Sequence, residues 1–411
     1  MTPIDLDAAV EMALENGADA QAARWAVESA ELALRARRAA HTPDLTVRLS
    51  ATESLGRTFS EELGTNVTEP SGVATARVVS TLPLWAGGEL RGRREAAEAS
   101  LAGRRATAAQ TRQDLTLTLA GLLLDTAEAR GTLAVREATL AAEEALRGQV
   151  VAFVEAGART RADQLQQEAA VSRAEADLVE ARRTIAQAEL SLVEVLRLDP
   201  EGAWTFTPPE GGPVPSASLA DLVAQAVDAR PELDAYEAAV AAATAEVHAA
   251  RAGRRPSLDL SVGAATSVVS QDASPVSTQL QDQAAAWAAV DLDVPVFDRG
   301  ITRNAVGQAG LAERAARLDL ETAREALAVQ VRGVLLDRES VEAGLVAAER
   351  RRDAAVAAEA ILRDRYEAGA SPLFELLSAR AEVADAEHEL LVARTAVVRA
   401  GYTLAWTVGA L

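Results

Sequence analysis

Shifted by 213 residues, the sequence lies on itself: Leu6 meets Leu219, Ala13 meets Ala226, Pro43 meets Pro256, Leu45 meets Leu258 and Ala51 meets Ala264. Past one loop the offset becomes 212, and Pro83 meets Pro295, Trp85 meets Phe297 and Gly88 meets Gly300. The same offset lays Gly121-Leu-Leu-Leu-Asp125 on Gly333-Val-Leu-Leu-Asp337, and Glu155-Ala-Gly157-Ala on Glu367-Ala-Gly369-Ala. Matches at a nearly constant offset over most of the chain mean duplication, so whatever one half folds into must be built twice. The copies are expected over residues 1–200 and 218–411. The Pro/Gly-rich stretch 201–217 joins them.

Each copy predicts the same order of elements. An Ala-rich amphipathic helix (6–40, 219–252) stops before Pro43 or Pro256, through which a helix does not continue. Alternation follows. Leu45, Val47, Leu49 and Ala51 interleave with Thr46, Arg48, Ser50 and Thr52, and Leu258, Leu260, Val262 and Ala264 with Asp259, Ser261, Gly263 and Ala265, which is a strand signal. Strands are predicted over 45–53 and 258–269, a polar loop over 56–71 and 270–283, and a second strand over 73–84 and 284–296. In the last, Val290, Leu292, Val294 and Val296 share a face, with Asp291 and Asp293 opposite.

Long helices come next, at 89–155 and 301–367, without a proline and with apolar residues at helical spacing. Leu320, Leu327, Val334 and Val341 recur every seven residues, with Val331 and Leu345 four beyond two of them, as in a coiled-coil seam. Such a helix spans on the order of 100 Å, too long for a compact globule. Each breaks at Gly157 or Gly369 and returns as a second helix, 161–198 or 373–408.

Composition sets the exclusions. Hydrophobics make up 49 % of the chain but aromatics only 3 %, so the apolar content is Ala, Leu and Val, which suits long helices. There is no Cys, hence no disulfide, thiolate nucleophile or Cys-ligated metal. There is no Lys, hence no phosphate-loop lysine and no Schiff base. A net charge of −20 argues against nucleic acid as a partner. No stretch approaches the roughly 20 apolar residues of a membrane helix, and the N-terminus carries no signal-peptide pattern.

Enzyme and metal signatures fail. His388-Glu-Leu-Leu-Val lacks the second His of a zincin motif. His41, His248 and His388 do not correspond between the copies. Asp291, Asp293 and Asp298 lack the Gly and closing Glu of a calcium loop. No catalytic constellation, cofactor or metal site is expected.

Four strands per chain cannot close a barrel, since the smallest membrane barrels have about eight, and open strand edges are not tolerated in lipid. The economical solution is for several chains to pool hairpins in one closed barrel. Its lumen would be lined by Arg48, Arg77, Asp259, Asp291 and Asp293, and Leu and Val would face lipid. The alternative is a soluble oligomeric coiled-coil scaffold whose strands cap the bundle.

The order of elements, the duplication, Leu-Pro-Leu-Trp-Ala-Gly-Gly (82–88), Val-Pro-Val-Phe-Asp-Arg-Gly (294–300) and the hairpin tips Phe-Val-Glu-Ala-Gly-Ala-Arg-Thr-Arg-Ala-Asp-Gln-Leu (153–165) and Arg-Tyr-Glu-Ala-Gly-Ala-Ser-Pro-Leu-Phe-Glu-Leu-Leu (365–377) together resemble the TolC-type outer-membrane efflux proteins. The resemblance implies a mostly α protein with membrane β: a homotrimer whose twelve strands form one outer-membrane barrel, continuous with a long α-helical barrel in the periplasm. It implies a passive exit duct, opened at its tips by a periplasmic adaptor and an inner-membrane transporter. An adaptor itself would lack the full-length duplication.

On their own chemistry, Gly157 and Gly369 permit the left-handed turn that reverses the chain. The resemblance makes the tips the adaptor site and the closable entrance. Asp163 and Glu375, at equivalent positions, would ring it with carboxylates, or serve only as helix N-terminal acids. Arg159 and Tyr366 match tip-locking positions, but their counterparts Ser371 and Val154 cannot repeat the contacts. Of the aromatics, Trp85, Trp287 and Phe297 lie near strands and Phe59 in a loop. Trp25, Trp204 and Trp406 are expected to pack between helices or in the linker region.

Overall fold

Two segments that read as single helices from sequence are each broken in two. The computed structural model describes residues 3–60, 64–209, 211, 217–270 and 272–411. The first segment splits into α1 (Leu6–Asn16) and α2 (Ala18–Ala39), the equivalent one into α5 (Leu219–Ala229) and α6 (Pro231–Ala252). The causes differ. At Gly17 the backbone turns extended, and a Cβ there would lie 2.3 Å from the Ala13 carbonyl oxygen. At Arg230 the following Pro231 drives the residue out of the helical region.

The remaining helices are α3 (Glu89–Glu155), α4 (Arg161–Leu196), a short α7 (Val276–Asp282), α8 (Ile301–Glu367) and α9 (Leu373–Thr407). The strands are β1 (Thr46–Ser60), β2 (Thr65–Trp85), β3 (Ser257–Val269) and β4 (Ala285–Asp293), forming one antiparallel sheet in the order β1-β2-β3-β4. The chain divides into two compact units. One comprises Met1–Ala26, Arg105–Ala235 and Glu321–Leu411, the other Val27–Arg104 and Tyr236–Leu320. Each unit therefore draws on both copies of the repeat. Among the described residues no helix is long and apolar enough to cross a membrane.

Three expectations for the strands are corrected. Most of the loop expected at 56–71 is strand, with β1 running on to Ser60, Phe59 included, and β2 starting at Thr65. The backbone ladder outruns the apolar alternation because it needs no buried face. Residues 61–63 of that loop lie outside the described residues. Pro70 is accommodated because β2 pairs with β3 only from Val73 onward, leaving one side of β2 without a ladder to donate to. In the other loop, α7 forms around buried Gln279. Its amide donates to the carbonyls of Asp272 and Ser274, and its oxygen accepts from the Val269 amide. β4 ends at Asp293, before Pro295, so Val294 and Val296 do not belong to it.

The register decides which residues share a face. Arg48 sits opposite Arg77, and Asp259 opposite Asp291. Following the pairs across β2 and β3 puts Arg48, Arg77, Asp259, Asp291 and Asp293 on one side. The other side carries Val47, Leu49, Val78, Val262, Val290 and Leu292, all exposed. That side is not free of charge, because Glu53 falls in phase with Val47, Leu49 and Ala51.

In the unit holding residues 105–235, α4 buries Gln167, Val171, Ala174, Leu178 and Ala181, a strict three-four spacing. The α8 seam behaves alike, with Leu327 and Val331 buried and Val334, Val341 and Leu345 partly so. Both helices also expose a second apolar stripe. It holds Leu165, Val179 and Leu190 on α4, and Val329, Leu336 and Ile361 on α8. Trp25 corrects the expectation of interhelical packing. It is 65 % exposed, five residues from buried Ala20 and so on another face of α2. Trp406 does pack, donating to Asp114 at 2.7 Å and stacking under Arg230.

Candidate functional site

Both tips end in the same turn. The Ala158 amide donates to the Phe153 carbonyl at 2.8 Å and the Gly157 amide to Val154 at 3.0 Å. The Ala370 amide donates to Arg365 at 2.8 Å and the Gly369 amide to Tyr366 at 3.0 Å. This nested pair is the Schellman motif, which requires a left-handed residue, and Gly157 and Gly369 have φ of 71° and 73°.

Beyond the turns the copies diverge. At the first tip Thr160 caps α4 in a capping box: its hydroxyl accepts from the Asp163 amide, and the Asp163 carboxylate accepts from the Thr160 amide at 2.9 Å. At the second, Pro372 occupies the cap and offers no side-chain bond, while the Ser371 hydroxyl donates to Glu375 at 2.5 Å. Both acids thus take part in their own helix starts.

Arg159 and Tyr366 meet. The Arg159 guanidinium donates to the Tyr366 carbonyl at 2.5 Å and lies 4.3 Å from the ring centroid. Tyr366 is 1 % exposed, packed with Leu146, Val150, Leu373 and Leu376, and edge-on to Phe153. Burial pushes its phenol above the ordinary value, against the opposing pull of Arg159. Among the described residues its hydroxyl has no hydrogen-bond partner. A buried hydroxyl without a partner costs stability, so Tyr366→Phe should leave the protein as stable or up to about 1 kcal/mol more so. Thermal unfolding of the two proteins side by side checks this. A clear loss would mean that the hydroxyl is satisfied.

Sequence reading missed a polar cluster above the tip. Gln167 on α4 is fully buried and donates to the Glu143 carboxylate of α3 at 2.6 Å. Arg380 of α9 reaches the Ala142 carbonyl at 3.0 Å, the Glu143 carboxylate at 3.7 Å and Glu359 of α8 at 3.4 Å. One guanidinium thereby joins both hairpins. A signal was present, because Arg147 and Glu359, and Glu168 and Arg380, lie 212 residues apart with opposite charge. A cavity of about 660 Å³ opens beside it, lined by Arg136, Arg173, Asp177, Phe374, Arg380 and Asp385 among others.

On the polar side of the sheet, like charges stand directly opposite one another, which destabilises a pair unless water or counter-ions intervene. Arg77 is relieved by Trp287, whose ring lies 4.5 Å beneath it, and Asp291 accepts from Ser261 at 3.3 Å.

The chain is thus a duplicated helix–hairpin–helix protein with an open four-stranded sheet, one side largely apolar and the other charged. The family profile of outer membrane efflux proteins matches residues 9–196 and 222–410, and the chain is a member of that family. Membership makes it an exit duct of the transport class and sets aside the soluble scaffold. No curated protein matches the chain. Its fold is similar to that of CusC, known from crystal structures that address conformational changes accompanying folding and transmembrane channel formation (19 % identity, 98 % of this chain and 92 % of that one, TM-score 0.85). It is also similar to the outer membrane protein VceC from Vibrio cholerae (17 %, 98 % and 96 %, TM-score 0.82) and to the open state of the Neisseria gonorrhoeae MtrE outer membrane channel (21 %, 98 % and 88 %, TM-score 0.78). At these identities the likeness is one of fold.

Proposed function

We propose that three copies of this chain form a passive duct across the outer membrane, extending into the periplasm, for cargo delivered by an inner-membrane transporter through a periplasmic adaptor. The observation that carries this reading is the sheet. Among the described residues its outer strands β1 and β4 have unpaired edges, one of its faces is exposed and apolar apart from Glu53, and the other is charged. Exposed backbone edges invite further strands, and closing the sheet removes them. Three such sheets supply twelve strands. The second apolar stripes on α4 and α8 support the same reading, since each needs a neighbour that the chain itself does not provide.

In the closed barrel, Asp259, Asp291 and Asp293 line the lumen near the helices. Arg48 and Arg77 line it about six residues further along, roughly 20 Å at strand rise. The repeat halves 1–200 and 218–411 each give one hairpin to the barrel and one to the helical tube. At its end Gly157, Arg159, Asp163, Tyr366, Gly369 and Glu375 form the adaptor-facing entrance. The Arg159–Tyr366 contact holds the two hairpins of one chain together, and splaying them opens the duct.

Size-exclusion with light scattering in detergent tests the assembly. The expected protein mass is three times 43.0 kDa with a bound detergent belt. A monodisperse species that binds no detergent and is stable in plain buffer overturns the barrel.

A further inference from the structure

Eleven of the 41 arginines of this acidic chain lie where strands meet helices, and four of them, Arg38, Arg91, Arg93 and Arg94, pair with Glu98, Glu95, Glu89 and Glu98 in turn. Arg-Ala-Arg-Arg (35–38) closes α2, and Arg-Ala-Gly-Arg-Arg (251–255) closes α6 and runs past its end at Ala252. Arg91, Arg93 and Arg94 open α3, and Arg299 and Arg303 open α8. A helix C-terminus favours cations and explains part of the first two runs. A helix N-terminus disfavours them, so the dipole does not account for the others.

These ends come together in one unit. Gly92 of α3 is so close to α6 that a Cβ there would lie 2.7 Å from the Ala249 amide nitrogen. Arg255 donates to the Gly87 carbonyl at 3.0 Å, and Thr302 of α8 donates to Gly253 at 3.3 Å. Two clefts result. One of about 400 Å³ is lined by Arg91, Glu95, His248, Arg251 and Arg255, with Arg91 paired to Glu95 at 2.8 Å. The other, of about 380 Å³, is lined by Arg254, Arg303, Val296 and Asp298. Asp298 is occupied: it accepts from the Gly300 and Thr302 amides, and the Thr302 side chain, followed by those amides, holds its carboxyl down at about 2.

Apolar side chains adjoin the second cleft. Val296 and Phe297 are 93 % and 85 % exposed, and Ile301 is exposed too. Trp85, the repeat equivalent of Phe297, is half exposed at the end of β2. Cationic clefts beside exposed rings and aliphatics, at the foot of an apolar strand face, are complementary to an interfacial lipid. The arginines meet phosphate and the apolar side chains meet the acyl boundary.

We propose that the arginines at the strand–helix junction, Arg251, Arg254 and Arg303 foremost, bind the phosphate headgroups of anionic phospholipid in the periplasm-facing leaflet and set the depth of the barrel. This rests on the membrane-barrel reading above. Free phosphate shares the headgroup chemistry, but the exposed Val296 and Phe297 favour a lipid.

The test uses the detergent-purified full chain and native mass spectrometry. Phosphatidylglycerol, phosphatidylcholine of the same acyl chains and inorganic phosphate serve as probes. Wild type should retain phosphatidylglycerol over phosphatidylcholine, and inorganic phosphate should not displace it. The triple variant R251Q/R254Q/R303Q should bind phosphatidylglycerol about a hundredfold more weakly, as three arginines at roughly 1 kcal/mol each imply. R147Q/R332Q/R350Q, which removes the same charge from exposed sites on α3 and α8 in the other unit, should bind as wild type. A detergent-borne trimer whose lipid retention ignores R251Q/R254Q/R303Q, or from which inorganic phosphate displaces the lipid, overturns this proposal alone. A chain without a detergent belt overturns the barrel reading and this proposal with it.

Discussion

Val290→Arg should abolish the detergent-stable oligomer, whereas Ala289→Arg, one residue away, should leave it intact. The two positions are neighbours on β4 but point to opposite faces of the sheet. Val290 is 62 % exposed on the apolar side opposite Leu260, whereas Ala289 lies beside Trp287 and Asp291 on the polar side. An arginine in hydrocarbon near the middle of a barrel strand costs about 2–4 kcal/mol per chain. At 289 the new guanidinium would enter water within reach of Asp291, and the cost is small. The fraction of trimer after heating in detergent, followed by light scattering, reads both. Equal loss from the two variants would mean that the sheet does not divide lipid from water.

Arg380→Ala should be the most damaging single change among the polar residues of the tip half. Removing the cation leaves Glu143, whose side chain is 8 % exposed, facing Gln167 without an ion-pair partner among the described residues. An uncompensated buried carboxylate costs on the order of 3 kcal/mol. Glu143→Gln in the same background should recover part of that loss, since the charge is then gone. Chemical unfolding followed by circular dichroism measures both variants. If Arg380→Ala unfolds at the wild-type midpoint, the cluster holds nothing, and the hairpins are joined by the other contacts between them, such as Arg159 with Tyr366 and Arg399 with Asp125.

Both variants probe features of different legibility. The alternation at Leu45–Ala51 and Val290–Asp293, the unbroken helices 89–155 and 301–367, and the glycines of the two tips are local statements about dihedral preference and period. They can be read without knowing the partner. The breaks at Gly17 and Arg230 were equally local, and the Ala-rich amphipathic pattern on either side of them overshadowed them. That Arg48 stands directly opposite Arg77 was not legible, because a slip of two residues between β1 and β2 would have kept both on the same side and separated them.

What the sequence determined by itself is the duplicated plan: the order of strands and long helices, where the helical hairpins turn, and which chemistries are absent. These depend on residues a few positions apart. The tertiary structure alone decided that Arg159 lies on Tyr366 and that Arg380 reaches Ala142, 207 and 238 residues away along the chain. It also decided that the arginines of four separate helix ends gather in one unit. Such contacts follow from the rotation and register of helices packed side by side. Those are set by the sum of many interdigitating side chains rather than by any pattern within one segment.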